Sequence, residues 1–285
     1  MLAAVLSAML CSLCGCKEGL EDAATVSRDE EVDLIFFMGQ SNMAGKGGDS
    51  SKAPKVNGKA GVEFKAYSDP SRFYPISEPF GIDENNPDGL CEASRGDKRG
   101  SLVSAFINEY YELTGHKVIA VSCSMGGLAM DLWTTAQFGG DAVKRIAVTQ
   151  DYLRQEGIAC GHTYVVWLQG ESDTVREIPP EDYSKNFYEF FDKITGMGIE
   201  EVFLISPVVR ADESTYTEIA VVQKEICDSD ERFTLATDVT ESFSDEYFYD
   251  SYHLNQKALN IAGKEAAKTA ADYTVERDFE RTDND

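Results

Sequence analysis

Apolar runs alternate along the chain with segments whose apolar residues recur at helical spacing. The runs are rich in β-branched and aromatic residues, which is typical of buried strands. They lie at 32–38, 117–122, 163–168, 201–206 and 233–236. Helical spacing covers 102–113, 141–155, 182–194, 215–227 and 256–273. Because parallel strands are joined by right-handed crossovers, the alternation predicts an α/β fold, a three-layer αβα sandwich around a five-stranded parallel sheet of flavodoxin-like order.

The stretch 45–100 breaks this alternation. It is rich in Gly, Pro, Ser and Asp and contains one short candidate strand at 62–67. Loops of this length in a compact domain are usually functional or disordered, so we expect a long surface excursion. The pattern therefore predicts one domain over 31–274, preceded by a leader and linker at 1–30 and followed by a charged, frayed tail at 275–285.

Composition fits one domain with an acidic surface. The 285 residues are 42% apolar, enough to bury the core of one ordinary domain. Twenty-six basic against fifty acidic residues give a net charge of -24, which repels nucleic acid and anionic membrane surfaces. Nucleic acid is thus excluded as a partner, and a neutral substrate is mildly favoured.

The amino terminus has the composition of a targeting segment. An apolar stretch ends in small residues before the chain turns acidic. Leu13-Cys14-Gly15-Cys16 resembles a bacterial lipoprotein box, in which Cys16 would be lipidated and attach the protein to a membrane. There are two alternatives: a signal peptide that is cleaved in the conventional way, and an apolar amino-terminal segment that packs in the folded protein. We expect an exported protein, either a cell-surface lipoprotein or a secreted or periplasmic one.

Four cysteines lie beyond this leader. They could form up to two disulfides, in three connectivities. The spacing of these four shows no CxxC pair, so no zinc site is predicted, and nothing in the pattern calls for a metal or a cofactor. The four are Cys91, Cys123, Cys160 and Cys227.

Four polar segments adjoin the predicted elements where a ligand would bind. In a parallel sheet the ligand crevice lies beyond the carboxyl ends of the strands. Three segments directly follow strands, and one precedes the last helix. They are GQSNMAG at 39–45, SMGG at 124–127, QGESD at 169–173 and DSYH at 250–253.

The chain has three histidines, and two of them precede strands. His116 and His162 would therefore lie at the opposite edge of the sheet, as surface or turn residues. His253 lies before the last helix, three residues after Asp250. A carboxylate there can hold one imidazole nitrogen while the other faces a nucleophile, although the same spacing is also typical of helix capping.

Ser41 lies at a strand-to-helix turn, between Gly39 and Gly45. It is either a nucleophile that a substrate can approach closely or an N-cap serine. The backbone of Gly126 and Gly127 could offer an amide to an oxyanion. Alternatively, the two glycines could allow the strand and the following helix to pack tightly.

Gln169 extends the set of possible oxyanion donors. Its side-chain amide could reach the same anion, or it could be a surface polar residue. Each lost donor in an oxyanion hole costs about 100- to 1,000-fold in turnover.

Taken together, the four segments resemble the SGNH hydrolase superfamily, specifically its branch of sialate O-acetylesterases and carbohydrate esterase family 6. The resemblance implies that Ser41 is the nucleophile, that His253 is the general base and that Asp250 is the acid that orients His253. Glu171 is a second candidate for this acid. The amides of Ser41 and of the paired glycines would form the oxyanion hole. Gln169 matches a position where the wider superfamily has asparagine, and Leu128 replaces the threonine usual after the glycines.

The resemblance implies a serine esterase that hydrolyses O-acetyl esters on carbohydrate through an acyl-enzyme. Acetylated polysaccharide such as xylan and O-acetylated sialic acid are the two substrate classes of the branch. Two alternatives stay open. One is an α/β-hydrolase with Ser124 as nucleophile, since Ser122-Cys123-Ser124-Met125-Gly126 nearly matches G-x-S-x-G. The other is a non-catalytic carbohydrate-binding protein on the cell surface.

Overall fold

The computed structural model describes residues 24–92, 95–208 and 213–284. The predicted leader and the lipidation candidate Cys16 lie outside these ranges. Within them, no helix combines the length and apolar character needed to cross a membrane.

Seven strands form a single sheet in the order β3-β2-β4-β1-β5-β6-β7. All neighbouring pairs are parallel except β2 with β3, which are antiparallel. The strands are β1 (Val32–Gly39), β2 (Gly61–Phe64), β3 (Phe73–Pro75), β4 (Lys117–Ser124), β5 (Thr163–Leu168), β6 (Glu201–Ile205) and β7 (Phe233–Thr237).

The expectation of a five-stranded, all-parallel sheet is therefore wrong in strand number and in direction at one edge. The five predicted strands are present as β1, β4, β5, β6 and β7. The excursion adds the other two, because it folds back as a β2–β3 hairpin that pairs with β4 through β2.

Helices cover both faces of the sheet. Successive residues of β1 point to opposite sides: Phe36 packs in one apolar cluster and Phe37 in the other. Residues of α3, α4, α6 and α7 belong to the first cluster, and those of α2 and α8 to the second. The helices are α1 (Ser41–Ala44), α2 (Val103–Thr114), α3 (Met130–Trp133), α4 (Phe138–Glu156), α5 (Glu171–Val175), α6 (Pro180–Thr195), α7 (Glu213–Ser229) and α8 (Gln256–Asn284), with 3-10 turns at Arg95–Asp97, Val239–Ser242 and Asp245–Tyr247.

A buried carboxylate ties the excursion to the sheet. Glu84 accepts hydrogen bonds from the amides of Tyr67 and Ser68 and from the Ser68 hydroxyl. The guanidinium of Arg145, on α4, lies 3.3 Å from Glu84 and also donates to the carbonyl oxygen of Ser122. Since Arg145 is 2% exposed, this ion pair anchors the loop from inside the protein.

Both ends of the described chain lie at the amino edge of the sheet. The Lys117 ammonium, at the start of β4, donates to the carbonyl oxygen of Thr25. Helix α8 continues to Asn284, through the segment predicted to be a frayed tail. Asp278 and Arg281 of this segment both contact His162, which precedes β5.

His116 and His162 lie at this same edge, as their positions predicted, but they are buried rather than on the surface. A hydrogen bond to Asp33 is the main cause that raises the pKa of His116. For His162, burial acts to lower the pKa, but hydrogen bonds to Glu200 and Asp278 outweigh it and the pKa is raised. Both imidazoles therefore bind a proton more tightly in the folded protein than in the unfolded chain.

This cluster should make the free energy of unfolding depend on pH. A raised folded-state pKa gives stability that is fully present below the unfolded value of about 6.5 and is lost as pH rises through the folded value. We expect wild type to lose stability from about pH 6.5 upward, by on the order of 1 kcal/mol per unit of pKa elevation. Urea unfolding of wild type and His162→Gln across this range measures the effect. Parallel pH dependence in the two proteins would remove His162 as its source.

Candidate active site

The carboxyl ends of β4, β1 and β5 meet at one place. Gly39, the last residue of β1, pairs with Ser124 on one side and Leu168 on the other. Gly39 has a φ of 142°, and a Cβ there would lie 2.0 Å from the carbonyl oxygen of Leu168. Only glycine fits this close approach, which brings the turns after the three strands together.

Ser41, His253 and Asp250 form a hydrogen-bonded chain beside this point. The Ser41 hydroxyl oxygen lies 3.0 Å from Nε2 of His253, and Nδ1 of the ring lies 2.7 Å from Oδ2 of Asp250. Gln40, not Ser41, holds the N-cap position of α1. The capping alternative for Asp250 is also not observed, since Asn255 accepts the amide of Ala258 in the first turn of α8.

Asp250 is fixed by its own loop. One of its oxygens accepts the backbone amides of Tyr252 and His253 at 2.8 and 2.9 Å. Partial burial acts to raise the pKa of Asp250, but the hydrogen bonds from the His253 ring and these amides hold it below its ordinary value. The carboxylate is therefore ionised and set to accept a ring N–H.

A pocket of about 260 Å³ opens over Ser41 and His253. Its wall includes the paired glycines Gly126 and Gly127, as the resemblance implied. Gly127 has a φ of 78°, a left-handed conformation that favours glycine. The remaining lining residues are Gln40, Lys46, Glu171, Ser172, Val175, Arg176 and Tyr252.

Glu92 holds one of the glycine amides. The backbone N–H of Gly126 donates to Oε1 of Glu92 at 2.6 Å. Burial raises the pKa of Glu92, while this amide and the Lys98 charge act to lower it. Sequence reasoning missed this residue, since it lies inside the long excursion and reaches the site through the tertiary fold alone.

The Gln169 side chain is directed away from the position predicted for it. Its amide nitrogen donates to the carbonyl oxygen of Leu128 at 3.0 Å and to the Asp173 carboxylate, and its oxygen accepts the Tyr183 hydroxyl. Both amide hydrogens are thus committed to the protein, and the side chain is 0% exposed. Gln169 joins β5 to its neighbours here and offers no hydrogen to an oxyanion.

Glu171 reaches the hydrogen-bonded chain of Ser41, His253 and Asp250 only through Asn42. Its Oε1 accepts a 2.6 Å hydrogen bond from the Asn42 side chain, and Asp250 is the carboxylate on the His253 ring. Burial raises the pKa of Glu171 to about 7. Sequence reasoning also missed Asn42, although it follows Ser41 directly.

Ser124, the alternative nucleophile, ends β4 and is 7% exposed. Among the described residues, none of the three histidines hydrogen-bonds to it. A base for Ser124 is therefore missing from this arrangement.

The four cysteines beyond the leader are free thiols in this structure, which contains none of the disulfides that they could form. Burial raises the pKa of Cys123 to about 12, which keeps this thiol protonated and unreactive. Within the ranges that the structure covers, no group of three or more His, Cys, Asp or Glu side chains is arranged to hold a metal ion.

Comparison with known proteins gives one family match and several structural likenesses. Residues 31–272 match the family model described as carbohydrate esterase, sialic acid-specific acetylesterase. No curated protein matches the chain significantly.

Among solved structures, a protein from Arabidopsis thaliana is 18% identical with a TM-score of 0.57, covering 84% of this chain and 97% of its own. A lipase from a goat rumen metagenome is 9% identical with a TM-score of 0.52, over 84% and 97% of the two chains. An acetylxylan esterase from Geobacillus stearothermophilus is 12% identical with a TM-score of 0.44, over 84% and 94%. At these identities, the first two likenesses show a shared fold.

Proposed function

The chain belongs to the carbohydrate esterase family of sialic acid-specific acetylesterases, and we propose that it is a serine esterase that removes O-acetyl groups from carbohydrate. One observation carries the proposal: the Ser41 hydroxyl lies 3.0 Å from the imidazole of His253, whose other nitrogen is held by Asp250. This is the geometry that activates a serine nucleophile.

In the proposed reaction, Nε2 of His253 takes the Ser41 proton as the hydroxyl oxygen attacks the acetyl carbonyl. The tetrahedral anion collapses, His253 protonates the leaving sugar oxygen, and the acetyl group stays on Ser41. Water then attacks this ester with His253 again as base, and acetate leaves as the Ser41 hydroxyl is restored. Asp250 stabilises the imidazolium formed in each half-reaction.

We assign the stabilisation of the anion to backbone amides of residues that line the pocket: Ser41, Gly126 and Gly127. In the resting structure the Gly126 amide donates to the Glu92 carboxylate. It would break this hydrogen bond and donate to the oxyanion instead when substrate reacts. Gln169 takes no part, since its amide is bonded elsewhere.

Glu92→Gln should therefore raise kcat/KM severalfold. Glutamine keeps an oxygen that can accept the Gly126 amide, but it lacks the negative charge that would oppose an anion at the same amide. The measurement is initial-rate hydrolysis of p-nitrophenyl acetate by the two proteins at one pH. A large loss of kcat in this variant would show that the charge of Glu92 supports catalysis instead.

The acetylated sugar is either a polysaccharide such as xylan or an O-acetylated sialic acid. The net charge favours a neutral substrate at long range, but the pocket wall itself includes two cations, Lys46 and Arg176. The Arg176 guanidinium is held at the pocket by a 3.0 Å hydrogen bond to the carbonyl oxygen of Gly127. Such cations would favour a sugar carboxylate at close range, where salt screens less.

Acetate release tests this proposal directly. The full chain is incubated with acetyl-xylan and, separately, with O-acetylated sialic acid, and free acetate is measured over time. Turnover of either substrate that is lost in Ser41→Ala supports the proposal, and the faster one identifies the sugar class. Binding to these sugars without acetate release would favour the non-catalytic alternative and overturn the esterase.

A further inference from the structure

The catalytic histidine is carried by a segment that needs a tie to the nucleophile. His253 lies between the 3-10 turn Asp245–Tyr247 and helix α8, 212 positions from Ser41 along the chain. Its acid, Asp250, belongs to the same segment and is three residues away. The bond to Asp250 therefore orients the ring within its own loop but does not hold that loop against Ser41.

Asn42 supplies this tie. Its side-chain nitrogen donates to the carbonyl oxygen of Tyr252 at 3.1 Å, and its oxygen accepts the backbone amide of Leu254 at 2.9 Å. One amide thus brackets His253 on both sides. Because Asn42 directly follows Ser41 and is 1% exposed, it couples the positions of base and nucleophile from inside the protein.

Glu171 in turn fixes Asn42. The Asn42 nitrogen donates its other hydrogen to Oε1 of Glu171 at 2.6 Å, so this amide nitrogen has no hydrogen to spare. Glu171 is 3% exposed, and its Oε2 has no hydrogen-bond partner among the described residues. A buried, half-satisfied carboxyl group is costly to the fold, which indicates that it serves something other than stability.

We propose that Asn42 and Glu171 are positioning residues that hold His253 at proton-transfer distance from Ser41. The proposal rests on the proposed function, since it assigns these residues to the same proton transfer. It gives Glu171 a role in supporting the base, but through Asn42 and the backbone on either side of His253 rather than through the ring. Displacing a catalytic group by about 1 Å can cost about 100-fold in rate.

The first test is Asn42→Ala in the full chain, with p-nitrophenyl acetate as substrate. We expect kcat to fall about 100-fold with a much smaller change in KM, because the base moves while most of the pocket wall, including Ser41 and the paired glycines, stays in place. Active sites are counted by prolonged labelling with a fluorophosphonate, so that kcat refers to folded protein. A wild-type kcat per labelled site in Asn42→Ala would overturn the proposal.

Asn108 offers a matched control. On α2, it brackets a distant segment in the same way, donating to the carbonyl oxygen of Lys55 and accepting the amide of Asn57. Asn108→Ala loses the same kinds of bond away from the pocket, so it should keep wild-type kcat. An equal loss of kcat in the two variants would mean that general loosening, not positioning, explains the result.

Two substitutions separate the hydrogen-bond acceptor of Glu171 from its carboxyl group. Glu171→Gln keeps an oxygen that can accept the Asn42 amide and should retain kcat within severalfold of wild type, whereas Glu171→Ala removes the acceptor and should match Asn42→Ala. Wild-type kcat in Glu171→Ala would overturn the role of Glu171. Failure of the function itself looks different: wild type would release no acetate, or Ser41→Ala would remain active.

Discussion

Replacing Ser41 by alanine should lower kcat by about 10⁶-fold, which is the scale on which a serine nucleophile acts when its base is intact. The expectation follows from the 3.0 Å contact with His253, which places this hydroxyl within proton-transfer reach of a base. Without the hydroxyl no acetyl-enzyme can form, and residual catalysis would come from the pocket and its backbone donors alone. Steady-state hydrolysis of p-nitrophenyl acetate measures this loss of kcat. The burst of one nitrophenolate per active site that acylation of Ser41 gives in wild type should also be absent in the variant.

Ser124→Ala is the control for this substitution. Ser124 is as buried as Ser41 and ends the neighbouring strand, but no histidine in the described ranges bonds to it. We therefore expect this variant to keep its burst and its turnover. The reverse pattern, with Ser124→Ala inactive and Ser41→Ala active, would restore the α/β-hydrolase alternative.

Asp250→Asn should lower kcat by about 10⁴-fold with little change in KM. Asparagine can occupy the same space, but its amide stabilises neither the imidazolium nor the ring tautomer that leaves Nε2 free to accept the serine proton. Asp250 is well placed for this effect, since both its oxygens lie within 2.9 Å of Nδ1. Steady-state kinetics of the variant over a pH series measure it.

Glu171→Gln is the comparison that decides between the two acids named by the sequence. It replaces the buried carboxyl that touches Asn42 rather than the ring. Turnover should be far lower in Asp250→Asn than in Glu171→Gln. If the order were reversed, Glu171 would be the acid that supports the base, and the contact at Asp250 would be a feature of the resting structure only.

The fold was predictable from the sequence to the extent that local pattern determines it. Five strands are buried apolar runs, and their alternation with helical segments indicates a largely parallel sheet. The two strands of the excursion are short, and the chain around them is rich in turn residues. Their pairing depends on contacts that close only in the folded protein, such as the bonds from Tyr67 and Ser68 to Glu84.

For the site, the sequence predicted which residues meet but not every partner. Ser41, His253 and Asp250 come together because each lies at the carboxyl edge of the sheet, a position readable from strand order. The direction of the Gln169 side chain depends on Asp173, which accepts its amide N–H, and on Tyr183, which donates to its oxygen. Glu92 carries no local pattern that would mark it, because its partner Gly126 is 34 positions away.

The two ends of the described chain lie on the side of the sheet opposite the pocket, which bears on how this protein can be attached to a support. The segment from Thr25 and the last turns of α8 both lie at the amino edge of the sheet, whereas Ser41 and its pocket open at the carboxyl edge. A tether joined to the described chain at either of these ends, such as a fused module or an affinity tag on a bead, would be attached at the edge opposite the pocket. Large insoluble polymers could then approach the immobilised protein without steric hindrance from its anchor.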